Sequence, residues 1–112
     1  MLSPGPAKKI TIHLNEDTGS RTDFLSREII SLLLDRGVAG ATMDRPEAGF
    51  GSHHRVHSTL GDPEHLPLRI EFIETSAAVD ALLPALFELV TDGLIEAQDI
   101  TILKAAAREE PS

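Results

Sequence analysis

Residues 66–93 read L-P-L-R-I-E-F-I-E-T-S-A-A-V-D-A-L-L-P-A-L-F-E-L-V-T-D-G, and the hydrophobic period changes once along them. Leu68, Ile70 and Phe72 alternate with Arg69, Glu71 and Ile73, which is the period-two pattern of a strand with one buried face, its start marked by Leu66-Pro67. From about Ala77 to Thr91 the spacing becomes helical. Val79, Leu82, Leu83, Leu86, Leu89 and Val90 share one face, and Gly93 is the expected C-terminal cap. Pro84 interrupts the stripe. An interior proline costs about 3 kcal/mol, so a kink or a late helix start is expected there. Arg69 is expected to face away from the helices.

The same strand-then-helix unit occurs upstream. Ile10, Ile12 and Leu14 alternate with Lys9, Thr11 and His13, and a polar loop, Asn15 to Thr22, follows. Thr22 or Asp23 can cap a helix that runs to Arg36 and ends at Gly37. Its stripe is Leu25, Ile29, Leu32 and Leu33, with Arg27, Glu28, Ser31 and Asp35 mostly opposite. Val38 to Arg45 suits a second strand, ended by Pro46, which cannot donate to a ladder. Ile100 and Ile102, alternating with Thr101 and Leu103, suit a fourth. Strand, helix, strand, strand, helix, strand is the split βαβ order: an α+β, ferredoxin-like βαββαβ sandwich whose four-stranded antiparallel sheet carries both helices on one face. The other face is expected to hold Lys9, Thr11, His13, Arg69, Glu71, Ile73, Thr101 and Leu103. That mixture is apolar enough to imply self-association. Residues 1–7, with two prolines and a glycine, read as a frayed terminus, 8–104 as one domain, and 105–112 as an acidic, disordered tail.

Composition narrows the function classes. A chain of 112 residues without cysteine can bury one core but offers no disulfide framework and no thiolate chemistry. A net charge of -8 argues against nucleic acid, whose binders carry basic patches. No apolar run approaches the roughly 20 residues of a spanning helix, and residues 1–7 lack the features of a signal peptide, so a cytoplasmic protein without direct membrane insertion is expected.

The stretch Gly40 to Ser58 departs most from what a core needs. Gly49, Phe50 and Gly51 set an aromatic between two permissive residues, at least a turn. His53, His54, Arg55 and His57 follow, three of the chain's five histidines among them. Two imidazoles and a neighbouring carboxylate can hold a divalent metal. His53 and His57, however, stand roughly 13 Å apart on an extended segment and share an ion only if the loop folds back or a second subunit contributes. Solvated histidines on a hairpin tip are the plainer alternative. Ser52-His53, or Glu71 with Glu74, match no recognisable nucleophile–base or paired-carboxylate spacing, so an enzyme ranks last.

Three segments together, G-A-T-M-D-R-P-E-A-G-F-G (40–51), L-P-L-R-I-E-F-I-E (66–74) and G-L-I-E-A-Q-D-I-T-I-L (93–103), resemble successive landmarks of PII-like signalling proteins. The likeness spans Lys8 to Lys104. Gly-Ala-Thr ahead of Gly-Phe-Gly, with Leu-Pro inside the second helix, is most similar to a PII-like family known by a domain-of-unknown-function label. The resemblance implies a non-enzymatic homotrimer of ferredoxin-like subunits that binds a small anionic effector, such as an adenine nucleotide, in clefts between neighbours. It also implies a loop that docks on a membrane transporter or an enzyme. Gly49, Phe50 and Gly51 fall where the PII loop base wraps the nucleotide, and Arg69 where those proteins place a lysine. The glycine- and lysine-rich phosphate turn is replaced by Glu96, Ala97, Gln98 and Asp99. The connection between the second and third strands is shorter than the PII signalling loop, and no basic segment follows the fourth strand. Arg45, Arg55 and Arg69, which can pair with phosphate bidentately, are then the expected anion ligands. The alternative, a divalent metal on His53, His54 and His57, resembles trimeric metal-tolerance proteins of the same fold.

Overall fold

The computed structural model describes residues 2–14, 20–44, 48–50, 56–58 and 68–106. Strand β1 is Gly5–Leu14, helix α1 Ser20–Asp35, β2 Ala41–Asp44, β3 Ala48–Phe50, β4 Val56–Ser58, β5 Leu68–Thr75, helix α2 Ser76–Leu89 and β6 Gly93–Ile102. Four strands pair in the order β2-β5-β1-β6, and β3 pairs with β4 as a separate ribbon. Every pairing in the larger sheet is antiparallel. This is the expected ferredoxin-like sandwich.

The two central strands supply the floor of the core. Ile10, Ile12 and Leu14 of β1 stand opposite Phe72, Ile70 and Leu68 of β5, and all six are at most 3% exposed. Ile29 and Leu33 of α1 and Val79, Leu82 and Leu86 of α2 close over them, with Leu25, Leu32, Leu83, Leu89 and Val90 packed around the rim. Both helical stripes read from the sequence are therefore the buried ones. Each such side chain contributes about 1.5–3 kcal/mol on leaving water, which outweighs the cost of Pro84 inside α2. The helix does not start late. It begins at Ser76, where the Thr75 hydroxyl accepts from the Ala78 N–H at 3.3 Å, and it runs through Pro84 to Leu89.

Gly37 ends α1 as expected, with φ +75°, while the Val38 N–H bonds to the Leu33 carbonyl at 3.0 Å and the Gly37 N–H to that of Leu34 at 3.1 Å. That pair of bonds is a Schellman cap. It consumes Val38, so β2 starts at Ala41 and not at Val38. Helix α1 starts at Ser20, which puts Thr22 and Asp23 inside its first turn and not at the cap.

Two further boundaries move. β1 begins at Gly5, so residues 5–7 are strand and not a frayed end; Pro6, which lacks an N–H, sits where β1 borders β6 alone. β6 begins at Gly93, which is therefore no helix cap. A Cβ on Gly93 would lie 2.3 Å from the His13 carbonyl oxygen, so the close approach of β6 to β1 requires glycine. The β1–β6 register sets Ile100 opposite Ala7 and Thr101 opposite Pro6. Ile100 and Ile102 therefore belong to the open sheet face and Thr101 to the helix face, the reverse of the expectation, and Leu103 lies past the strand end, 87% exposed. Ile95 is the β6 residue that packs on the core. Among the described residues, no helix is long and apolar enough to cross a membrane.

Candidate functional site

Alternation along β1 and β5 turns His13, Thr11 and Lys9, with Arg69, Glu71 and Ile73, to the face that the helices leave bare. Arg69 stands in register with Asp44 of β2 on one side and His13 of β1 on the other, and His13 stands opposite Leu94 of β6. The next row in is Thr42, Glu71, Thr11 and Glu96. Arg69 was expected to face away from the helices, and it does.

A chain of polar contacts crosses these rows. Arg69 donates from Nε to Asp44 Oδ1 at 3.1 Å and from Nη2 to Asp44 Oδ2 at 2.8 Å, a bidentate fork. The Asp44 carboxylate, first by these hydrogen bonds and then by its charge, holds the Arg69 guanidinium above its ordinary pKa. His13 Nε2 lies 2.9 Å from Glu96 Oε1. Glu71 receives the Thr11 hydroxyl at 3.5 Å and faces the Lys9 ammonium at 3.4 Å. The result is a strip of paired charges at one end of the face. Ile73, Ala7, Ile100 and Ile102 make the other end apolar.

Of the other expected ligand residues, Gly49 and Phe50 lie in β3, where Gly49 pairs with His57 and Phe50 with Val56. The Gly-Phe segment is thus part of a hairpin ladder and not only of a turn. Arg45, Gly51, His53, His54 and Arg55 lie outside the described residues, so the structure brings together Arg69, Asp44 and His13 and is silent on the rest. Among the described residues, no group of three or more His, Asp or Glu side chains is gathered as a metal site would need. Glu71 and Glu74 stand on opposite faces of β5, which separates them as a catalytic pair.

Glu96, Ala97, Gln98 and Asp99 form no turn. They lie in mid-strand in β6, where alternation sends Glu96 to the open face beside His13 and Asp99 to the helix face, 2.6 Å from the Lys8 ammonium. Two carboxylates together at a phosphate turn would repel a triphosphate. The strand points them apart, and each already faces a cationic or imidazole partner. The connection from α2 to β6 is the short segment 90–92.

Two residues were missed in the sequence. Asp44 completes the Arg69 fork, and only the β2–β5 register reveals it. Glu74 is 2% exposed and accepts from the Ala39 N–H at 3.3 Å and the Thr75 N–H at 3.2 Å, tying the end of α1 to the start of α2. It also lines a small cleft of about 180 Å³ with Arg36, Gly37, Val38, Ala78, Ala81 and Leu82. Its signal was parity, since it continues the buried series Leu68, Ile70, Phe72.

The DUF190 signature, described as Uncharacterized ACR, COG1993, matches residues 7–102. The chain belongs to the DUF190 family. Among the relatives of this DUF190 chain is a UPF0166 protein of Methanocaldococcus jannaschii, 26% identical over 105 residues that cover 92% of this chain and 97% of the relative. Among solved structures it is similar to CPII of Thiomonas intermedia K12 bound to ADP and bicarbonate, with 26% identity, a TM-score of 0.60 and coverage of 93% of this chain and 95% of that one. It is also similar to CPII, a nitrogen regulatory PII-like protein, bound to ADP, AMP and bicarbonate, at 27% identity and TM-score 0.58 over 90% of this chain and 99% of that one. This DUF190 chain therefore has the PII-like fold, and the sequence resemblance to PII-like proteins holds.

Proposed function

We propose that the chain is a non-enzymatic, cytoplasmic PII-like regulator. In this reading it assembles as a homotrimer, binds an adenine nucleotide in the clefts between subunits, and signals to a membrane transporter or an enzyme through the Gly49–Gly51 segment. The observation that carries the reading is the likeness to CPII, whose structures hold ADP, AMP and bicarbonate, over nearly the whole chain. The charged strip supports it, because an exposed guanidinium in β5 is chemistry suited to a phosphate. In this reading Arg69, with Arg45 and Arg55, takes the phosphates, and Phe50, between two glycines, lies against the base. In this reading Asp99 lies away from the phosphate, since it pairs with Lys8 on the helix face, while Glu96 lies beside His13 on the strip.

Thermal melts of the purified chain with AMP, ADP, ATP and bicarbonate test the ligand. ADP at a hundred times its Kd adds about 2.7 kcal/mol. At about 4–8 °C per kcal/mol for a domain near this size, that is a rise well above 5 °C. No shift with any nucleotide defeats the reading. Light scattering tests the assembly, with a mass about three times the 12.1 kDa monomer expected.

A further inference from the structure

Arg69 already holds an anion, and that anion belongs to the protein. We infer that the Asp44 carboxylate is a built-in competitor for the anion site at Arg69, a contact that an incoming phosphate must displace. The inference rests on the proposed role of Arg69 in nucleotide binding. Asp44 is the last residue of β2 and stands directly in register with Arg69, so its carboxylate reaches the guanidinium without leaving the strand. It takes the Nε–Nη2 edge, at 3.1 and 2.8 Å. Carboxylate and phosphate satisfy that edge with the same two-oxygen geometry, so one excludes the other there. Of the five guanidinium N–H donors, the three that Asp44 leaves are on the two terminal nitrogens. A phosphate that used only those would lie beside a carboxylate of like charge.

The fork has little to do for the fold. Both side chains are about half exposed, 49% for Arg69 and 46% for Asp44, and ion pairs at such exposure add little stability. All four residues of β2 are exposed, and its backbone ladder to β5 holds it in place without the pair. A weak, solvent-facing pair over an arginine is readily exchanged for a ligand that brings more charge. A diphosphate displaces Asp44 more effectively than a singly charged anion, so the pair also acts as a selectivity filter.

Calorimetric titration of ADP into the native chain, Asp44→Asn, Arg69→Ala and the double variant tests this, with melting curves confirming that each is folded. The expected result is that Asp44→Asn tightens ADP binding about two- to five-fold, the reach of an exposed ion pair, and that the gain disappears in the Arg69→Ala background. Unchanged or weaker binding by Asp44→Asn, with binding lost in Arg69→Ala, would overturn the competitor while leaving the nucleotide reading intact. Native affinity in Arg69→Ala would overturn the competitor and the role of Arg69 while leaving nucleotide binding intact, and no ADP binding by the native chain would overturn both. Should Asp44→Asn melt early, Asp44→Ala and Asp44→Ser carry the same comparison, because either removes the competing charge.

Discussion

Asp99 of β6 accepts a hydrogen bond from the Lys8 ammonium of β1 at 2.6 Å, and the strand register sets the two residues opposite each other. The pair raises the Lys8 pKa above the ordinary 10.5, first through the hydrogen bond to Asp99, then through its charge, with Asp80 of α2 adding to it. A lysine whose folded pKa is raised contributes stability that is fully present below its unfolded value and is lost as pH climbs through the folded one. Lys8→Met removes that contribution. The stability difference between native and Lys8→Met, measured by chemical denaturation, is expected to be constant from pH 7 to 9 and to move against the native chain above about pH 10.5. Parallel profiles to pH 11.5 would show that the pair does not couple to folding.

Gly93→Ala is expected to destabilise the protein by about 1–3 kcal/mol. The added Cβ would come within 2.3 Å of the His13 carbonyl oxygen, a backbone atom of the central strand β1 that cannot rotate away. Denaturant melts check it. Because the clash lies between β1 and β6, amide exchange should rise in those two strands more than in β5. A neutral substitution would mean that β6 sits farther from β1 at this point.

Leu86→Ala is expected to cost about 2–5 kcal/mol, because Leu86 is fully buried between α2 and the sheet. Lys104→Ala, exposed beyond the end of β6, should stay within about 0.5 kcal/mol. Equal effects at the two sites, measured by urea denaturation, would contradict the packing of α2.

The parts of the fold legible in the sequence were those in which local pattern and tertiary burial agree. The stripes of α1 and α2 and the alternation of β1 and β5 each name a face, and that face is the buried one. Ile100 and Ile102 show the limit. Alternation divides a strand into two faces but does not say which faces the core, and a one-residue change of register exchanges them. The strand is also seven residues longer upstream than its apolar end suggests, because Glu96 and Asp99 carry charges that an edge strand tolerates. Gly93 looked like a cap because a glycine follows the helix closely, yet what requires it is a carbonyl 80 residues away in sequence. The candidate site was half legible. Arg69 and its outward direction follow from period two, whereas Asp44 becomes its partner only through the pairing of β2 with β5, a contact between residues 25 apart in the chain.

With Ile100 on the open face of the sheet, the apolar end of that face is where the assembly can be tested. Ile73 of β5 is 37% exposed, and on the same face, at the end away from Arg69, lie Ile100 of β6 and Ala7 of β1, the last already covered at 1% exposure. None of the three belongs to the cluster beneath the helices, so a charge at Ile73 leaves the monomer core intact. In a trimer that buries this face, Ile73→Lys would place three unpaired ammonium groups in the interface, each costly to take out of water. The expected outcome is a shift in light scattering from about three times 12.1 kDa to the monomer mass, with the far-ultraviolet circular dichroism unchanged. Lys9→Ala, on the charged part of the same face, serves as the comparison and should leave the mass unaltered. If Ile73→Lys keeps the native mass while remaining folded, the subunits meet through another surface, and the apolar end of the sheet has some other occupant.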